Sequence, residues 1–252
     1  MPNHFNHLNN VSDFYNKLSD NGKYATQIPN NKGQSKSKYV ESVFTSALIP
    51  YFQKENFNQL LDFGCGTGVF SYQALKYVQH VIGVDISEKL INRAKGTYQS
   101  SQNISFQHIG GEKLPFSDNS FDIVVAREVI CYVPDKQLPM ILSEFYRVMK
   151  PGGKLLWLEQ VSNNPVWQNN PASPHMTRRP PIEIKEHIKS AGFVLIEQKK
   201  VRTPRFPLIY MAWFRIVPQR IIPLLAQLEI AWHHHLNYPS KRWWNELFII
   251  KK

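Results

Sequence analysis

An apolar run that ends in an acid and then breaks into three alternate glycines, Leu60-Leu61-Asp62-Phe63-Gly64-Cys65-Gly66-Thr67-Gly68, leaves this chain few folds to choose from. Glycines so placed let the backbone turn tightly and approach a bound molecule without a Cβ in the way. Leu60 to Phe63 reads as a short buried strand, and Val69 to Lys76 as the helix that follows it. In open α/β sheets, ligands sit beyond the carboxyl ends of the strands, at turns of this kind. The spacing is Asp-x-Gly-x-Gly-x-Gly, whereas a dinucleotide turn reads Gly-x-Gly-x-x-Gly. Asp85 closes the next apolar run, where a carboxylate can accept both hydroxyls of a ribose lying on the glycine turn. Dinucleotide folds place an acid similarly, so turn and acid together leave the nucleotide open.

The rest of the chain alternates strand and helix. His80 to Asp85 is the second strand, and Ser87 caps a helix from Glu88 to Thr97. Ile104 to Ile109 is the third strand, and Phe121 to Ala126 the fourth, apolar through its centre as buried parallel strands are. A helix from Gln137 to Met149 stops at Lys150-Pro151-Gly152-Gly153, before a fifth strand from Lys154 to Glu159. Asn163 to Arg179 is polar and proline-rich, and reads as an irregular loop. Pro181 to Ala191 is a helix, Phe193 to Val201 the sixth strand and Trp243 to Ile250 the seventh. Between the last two, residues 203–240 form a helical insertion broken by prolines. This alternation predicts a single α/β domain over residues 1–252, a seven-stranded, mostly parallel sheet with helices on both faces. Ahead of it, residues 1–37 hold a short helix from Val11 to Leu18 and a loop from Pro29 to Ser35. They read either as a cap over the ligand or as a loosely ordered tail. Lys38 to Phe52 is a helix with Val40, Val43, Phe44, Ala47 and Leu48 on one face.

Two cysteines, Cys65 and Cys131, make no disulfide framework and fit a reducing cytoplasm. The first residues lack a basic-then-apolar signal pattern, and no apolar run reaches bilayer-spanning length. The expected location is therefore cytoplasmic, with peripheral membrane contact left open. A net charge of +11 favours acidic partners such as nucleic acid, anionic lipid or a carrier protein, although it serves solubility equally well. No metal is expected: adjacent helical residues such as His233-His234-His235 point about 100° apart, which suits a surface or pocket rim better than one ion. Trp232, Trp243 and Trp244 read as core or pocket wall.

Three further segments carry a resemblance: Gly110-Gly111-Glu112-Lys113-Leu114-Pro115-Phe116 with Ser120-Phe121-Asp122, then Ala126 to Asp135, then Arg147-Val148-Met149-Lys150-Pro151-Gly152-Gly153. With the glycine turn, they resemble the methyltransferase type 11 family of class I S-adenosylmethionine (SAM)-dependent methyltransferases, which includes the ubiquinone and menaquinone C-methyltransferases. The likeness covers about residues 38–202 and the final strand. It implies a Rossmann-like fold whose last strand is antiparallel, with SAM as methyl donor and S-adenosylhomocysteine as product. Asp62, Gly64, Cys65, Gly66, Thr67 and Gly68 would form the donor's turn, with Asp85 on the ribose and Ile86 on the adenine face. Gly111 and Glu112 would lie at the adenine edge, and Arg127 near the sulfonium. Gly110 stands where the family usually has an aspartate.

The acceptor is less defined. Many relatives carry a histidine after strand four, where this chain has Cys131 and Tyr132. Tyr132 is a candidate to position the substrate, and His175 a candidate base in the loop after strand five. The Asn/Asp-Pro-Pro-Tyr/Phe motif of nucleic-acid amine methylation is absent, which argues against that partner. The insertion, apolar from Phe206 to Phe214 and carrying four arginines without an acid between Arg202 and Gln227, reads in two ways. It is a lid over the acceptor site, or a basic amphipathic surface that touches anionic membrane. The expected function is methyl transfer to a small or lipid-like acceptor at oxygen or carbon. The alternatives are a SAM-binding protein without catalysis, or a methyltransferase acting on a carrier-bound or nucleic-acid substrate. Oligomeric state is not legible.

Overall fold

A computed structural model describes residues 4–21, 23, 35–110, 113–163, 166–168, 176–204, 206–214, 216, 218–236 and 243–252. Gly111, Glu112, His175, Arg205, Arg215 and the loop 29–34 lie outside the described residues.

The central strands organise the chain. β1 (Phe57–Phe63) pairs in parallel with β2 (Val78–Asp85) on one side and with β4 (Phe121–Arg127) on the other. β3 (Ile104–His108) extends the sheet beyond β2, and β5 (Met149–Val161) extends it beyond β4. β9 (Trp244–Lys251) inserts antiparallel between β5 and β8 (Val194–Arg202), which completes the order β3-β2-β1-β4-β5-β9-β8. The expected seven strands and antiparallel last strand are therefore present. The strand order reverses between β1 and β4, so the carboxyl ends of β1, β2 and β4 open on one crevice.

Side-chain alternation sorts the core into two layers. Leu60, Ile123, Val125, Leu156, Leu158, Leu247 and Ile249 face one side of the sheet, while Leu61, Val124, Ala126, Leu155, Trp157, Phe248 and Ile250 face the other. On the first side lie α2 (Ser35–Phe52), α7 (Pro207–Trp213) and α8 (Ile222–Leu236); on the second lie α5 (Leu138–Val148) and α6 (Pro181–Ser190). Helix α4 (Glu88–Tyr98), capped by the Ser87 hydroxyl, closes a smaller cluster of Cys65, Ile91, Ala94, Tyr98 and Phe106. Two further helices are α1 (His4–Leu18), of 15 residues, and the short α3 (Val69–Ala74).

Two expectations need correction. The segment read as an irregular loop holds β6 (Val166–Gln168) paired antiparallel with β7 (Met176–Arg178). Strands of three residues each are too short to show a strand period in the sequence. The Lys150–Gly153 stretch, read as a turn, belongs to β5: Phe121 pairs with Met149 and Ile123 with Lys154, so these residues bulge out of a continuing strand. The insertion contributes to the core: Phe206, Ile209, Ala212, Ile222, Leu225 and Ala226 are buried, and five of them join the α2 layer. A polar bond fastens the same layer: Tyr39 Oη donates to Glu229 Oε2 at 2.5 Å, and both residues are fully buried.

The support beneath the crevice is testable. Phe145 is 0% exposed and meets Phe63, at the end of β1, edge-on with ring centroids 4.9 Å apart. Phe145→Ala is expected to cost about 3–5 kcal/mol of stability, read as a lower urea midpoint at unchanged slope.

Candidate functional site

Gly64, Gly66 and Gly68 all take left-handed backbone conformations, with φ of 74°, 55° and 76°. A Cβ on Gly64 would stand 2.4 Å from Val129 Cγ2, and one on Gly68 2.6 Å from the Phe106 ring. The glycines are therefore required by both torsion and space. The turn folds across β2, as the Gly64 and Cys65 amides donate to Val84 O at 2.8 and 3.0 Å. The Cys65 side chain points away from the crevice into the α4 cluster, and burial pushes its thiol up, so only its backbone faces a ligand. Asp62, 1% exposed, lies under the turn and accepts from Ser71 Oγ at 2.5 Å, which ties the end of β1 to α3. Burial raises its pKa to about 6, against the opposing pull of Arg127 and Ser71.

Asp85 stands opposite the turn. Its carboxylate accepts from Gly66 N at 2.9 Å and Ser87 N at 2.8 Å. Burial raises its pKa, and the two amides oppose that shift. The half-buried Ile86 follows it, with its carbonyl accepting from Ser12 Oγ. Thr67 is directed elsewhere: its hydroxyl donates to Lys23 O at 2.6 Å.

Across the crevice, β4 runs into a strained corner. Glu128 has φ of 52°, a costly conformation for a residue that carries a Cβ, and its carboxylate accepts from Gln160 Nε2 at 3.2 Å and from Asn245 Nδ2. The 3₁₀ turn Ile130–Tyr132 is clamped by Glu159, which accepts from Cys131 N at 2.9 Å and Gln160 N at 3.0 Å. Burial and then the neighbouring Glu128 push Glu159 up to about 7. Tyr132 Oη is 2.8 Å from Tyr15 Oη, and burial holds both phenols protonated well above neutral pH. Arg127 turns aside: its guanidinium pairs with Glu41 at 3.0 Å and covers the Phe70 ring at 4.1 Å, linking β4 to α2.

Helix α1 spans these two halves. Ser12, Tyr15 and Asn16 lie on one face of the helix. Ser12 meets Ile86; Asn16 Oδ1 accepts from Ser87 Oγ at 2.7 Å and Lys89 N at 3.2 Å; Tyr15 meets Tyr132. His7 Nε2 lies 2.8 Å from Tyr132 O, and Arg93 Nη1 donates to Ser19 O.

The structure thus gathers Asp62, the glycine turn, Asp85, Ile86 and Tyr132 around one crevice, while the Arg127 guanidinium is directed to Glu41 and Phe70 instead. Sequence reasoning missed Tyr15, Asn16, Glu128 and Glu159. A polar N-terminal helix facing a ligand turn was the only available signal for the first two, and nothing local marked the carboxylates. His233, expected at a surface or rim, is 2% exposed and sits 3.7 Å from Glu229 Oε1 because it lies on the inward face of α8. Trp232, expected in a wall or core, is 48% exposed and touches the protein edge-on through Phe206.

Comparisons with known proteins agree on the class. Residues 61–157 match the family described as "Methyltransferase domain". The chain is 31% identical over 139 residues to phosphoethanolamine N-methyltransferase 1 of Arabidopsis thaliana, covering 54% of this chain and 25% of that protein. It is 36% identical over 115 residues to demethylmenaquinone methyltransferase of Listeria monocytogenes, covering 43% of this chain and 48% of that protein. The chain thus spans a quarter and about half of these relatives' lengths. Among solved structures, the [4+2]-cyclase SpnF superposes with a TM-score of 0.68 at 20% identity, over 96% of this chain and 93% of that one. The fold is the Rossmann-like fold of class I SAM-dependent methyltransferases. The matched segment, residues 61–157, holds the glycine turn, Asp85 and Tyr132.

Asp62 supplies a pH test. Its raised pKa means that the folded state favours the neutral acid, so its contribution is fully present below about pH 4 and is lost as pH rises through about 6. Asp62→Asn is expected to flatten the fall in melting temperature between those values; an unchanged slope would contradict the assignment.

Proposed function

We propose that the protein is a SAM-dependent methyltransferase that transfers a methyl group to a small or lipid-like acceptor at oxygen or carbon, with peripheral contact to anionic membrane. The observation that carries this reading is Asp85, held beside the amide of Gly66 at 2.9 Å within a segment of methyltransferase family sequence. A ribose on the turn would take the Asp85 carboxylate, with Ile86 packed on the adenine, while Gly64, Gly66 and Gly68 allow the donor's methionine half to approach the backbone. Gly111 and Glu112 complete the proposed adenine edge.

SAM supplies an already activated methyl group, so the protein's work is alignment and exclusion of water. Helix α1 suits the second task, because it bridges Ile86 and Ser87 to Tyr132 and so lies across both halves of the crevice. Tyr132, protonated at neutral pH and accepting from Tyr15 Oη, is a donor that orients an acceptor oxygen rather than a base. His175 remains the proposed base for an acceptor that must lose a proton. Relatives named for phosphoethanolamine and demethylmenaquinone support small and lipid-like acceptors alike. A second reading, SAM binding without methyl transfer, draws on the tyrosine in place of histidine and on the cyclase that shares this fold.

Incubation with deuterated-methyl SAM and a metabolite extract separates the two. A labelled small-molecule product is expected; donor binding with no labelled product would favour the silent reading. Asp85→Ala is expected to weaken SAM binding by about tenfold or more, since bonds to a charged acceptor are lost. Unchanged calorimetric affinity would remove the ribose assignment.

A further inference from the structure

Helix α8 is apolar on two sides, and the protein covers one of them. Ile222, Leu225, Ala226, Glu229 and His233 point inward and are buried. Leu224, Leu228 and Trp232, spaced by four residues, form a stripe on the other side and are 56%, 52% and 48% exposed. Ala231 beside them is exposed as well. The helix's single acid is Glu229, which is 0% exposed and bonded to Tyr39, so the outer face carries no negative charge. A contiguous exposed apolar stripe of this kind marks a contact surface.

The flanks indicate what that surrounding is. Ile216, ahead of α8, is 68% exposed. Arg220 is exposed at the head of the stripe, and Lys38 Nζ donates to Gln219 Oε1 at 3.1 Å, which brings a second cation to the same end. From Thr203 to Leu228 the sequence holds Arg205, Arg215 and Arg220 and no acid. An uncharged apolar stripe with cations at one end and a tryptophan at the other has the composition of a helix that lies in a membrane interface. A second copy of the chain would instead bring a net charge of +11 against +11. No helix among the described residues is long and apolar enough to cross a membrane, so the contact is with a surface.

We infer that the outer face of α8 docks in the headgroup region of an anionic membrane, with Leu224, Leu228 and Trp232 inserted and Arg220 and Lys38 on the lipid phosphates. The inference rests on the membrane-contact part of the proposed function and involves no donor or acceptor chemistry.

Co-sedimentation of the full chain with phosphatidylcholine vesicles, with and without phosphatidylglycerol and without SAM, tests it. Binding is expected on the mixed vesicles, weaker on phosphatidylcholine alone and declining with salt. The double variant Leu224→Gln/Leu228→Gln is expected to lower partitioning by about tenfold or more at an unchanged melting temperature. Arg220→Gln is expected to reduce the preference for phosphatidylglycerol. The inference is overturned if the parent protein fails to sediment with mixed vesicles, or if the folded double variant binds as well as the parent. It is also overturned if light scattering shows a dimer that the double variant dissociates. SAM affinity, measured separately without vesicles, shows whether the donor site stands in either case.

Discussion

The reversal of the chain at the end of β1 is the constraint on which the rest of the structure depends. Three residues in left-handed conformations at alternate positions bring the backbone from the centre of the sheet onto the end of β2, where Val84 O receives two amides and Asp85 receives a third. Side chains cannot occupy that path, since Val129 and Phe106 already fill the space where Cβ atoms would project. The turn is therefore packed from below by β3 and from the side by the corner after β4. The glycine turn and the corner after β4 are one mechanical unit.

Buried polar groups hold that unit in place. Asp62 joins the turn to α3 through Ser71, Arg127 joins β4 to α2 through Glu41, and Glu159 clamps the turn that carries Tyr132. Each carboxylate or guanidinium is shielded from water and has a partner, which is the condition under which buried charge is tolerated. The corner at Glu128 is the costly point, with a left-handed backbone held by Leu158 O and by amide donors from Gln160 and Asn245. Because Asn245 also accepts from Arg202 at 3.3 Å, the corner is tied to β8 and β9, elements distant in sequence.

The insertion has two faces with different surroundings. Its inward side is a structural layer on α2, which explains why residues 203–236 are as apolar as core. Its outward side on α8 remains apolar without cover from the described residues. On the proposed reading, donor chemistry and surface contact are separate devices: one is built on the sheet's carboxyl edge, the other on a helix packed beside it.

The sequence by itself determined the class of fold. Local spacing carried the glycine turn, Asp85, the fully buried β4 and the alternation of strand and helix, because each depends on neighbours within a few residues. It also marked the insertion through its prolines. Only the tertiary structure decided which side chains meet across the crevice. Tyr15 and Tyr132 are separated by 117 positions, Glu128 and Asn245 likewise by 117, and Arg127 and Glu41 by 86. The strand through Lys150–Gly153 was hidden for the same reason, since it pairs with β4, whereas β6 and β7 are too short to show a strand period. Periodicity reports which face of an element is apolar; it does not report what that face meets. Hence His233 and Trp232, neighbours about 100° apart around the same helix, met different surroundings, one buried against Glu229 and one turned to solvent.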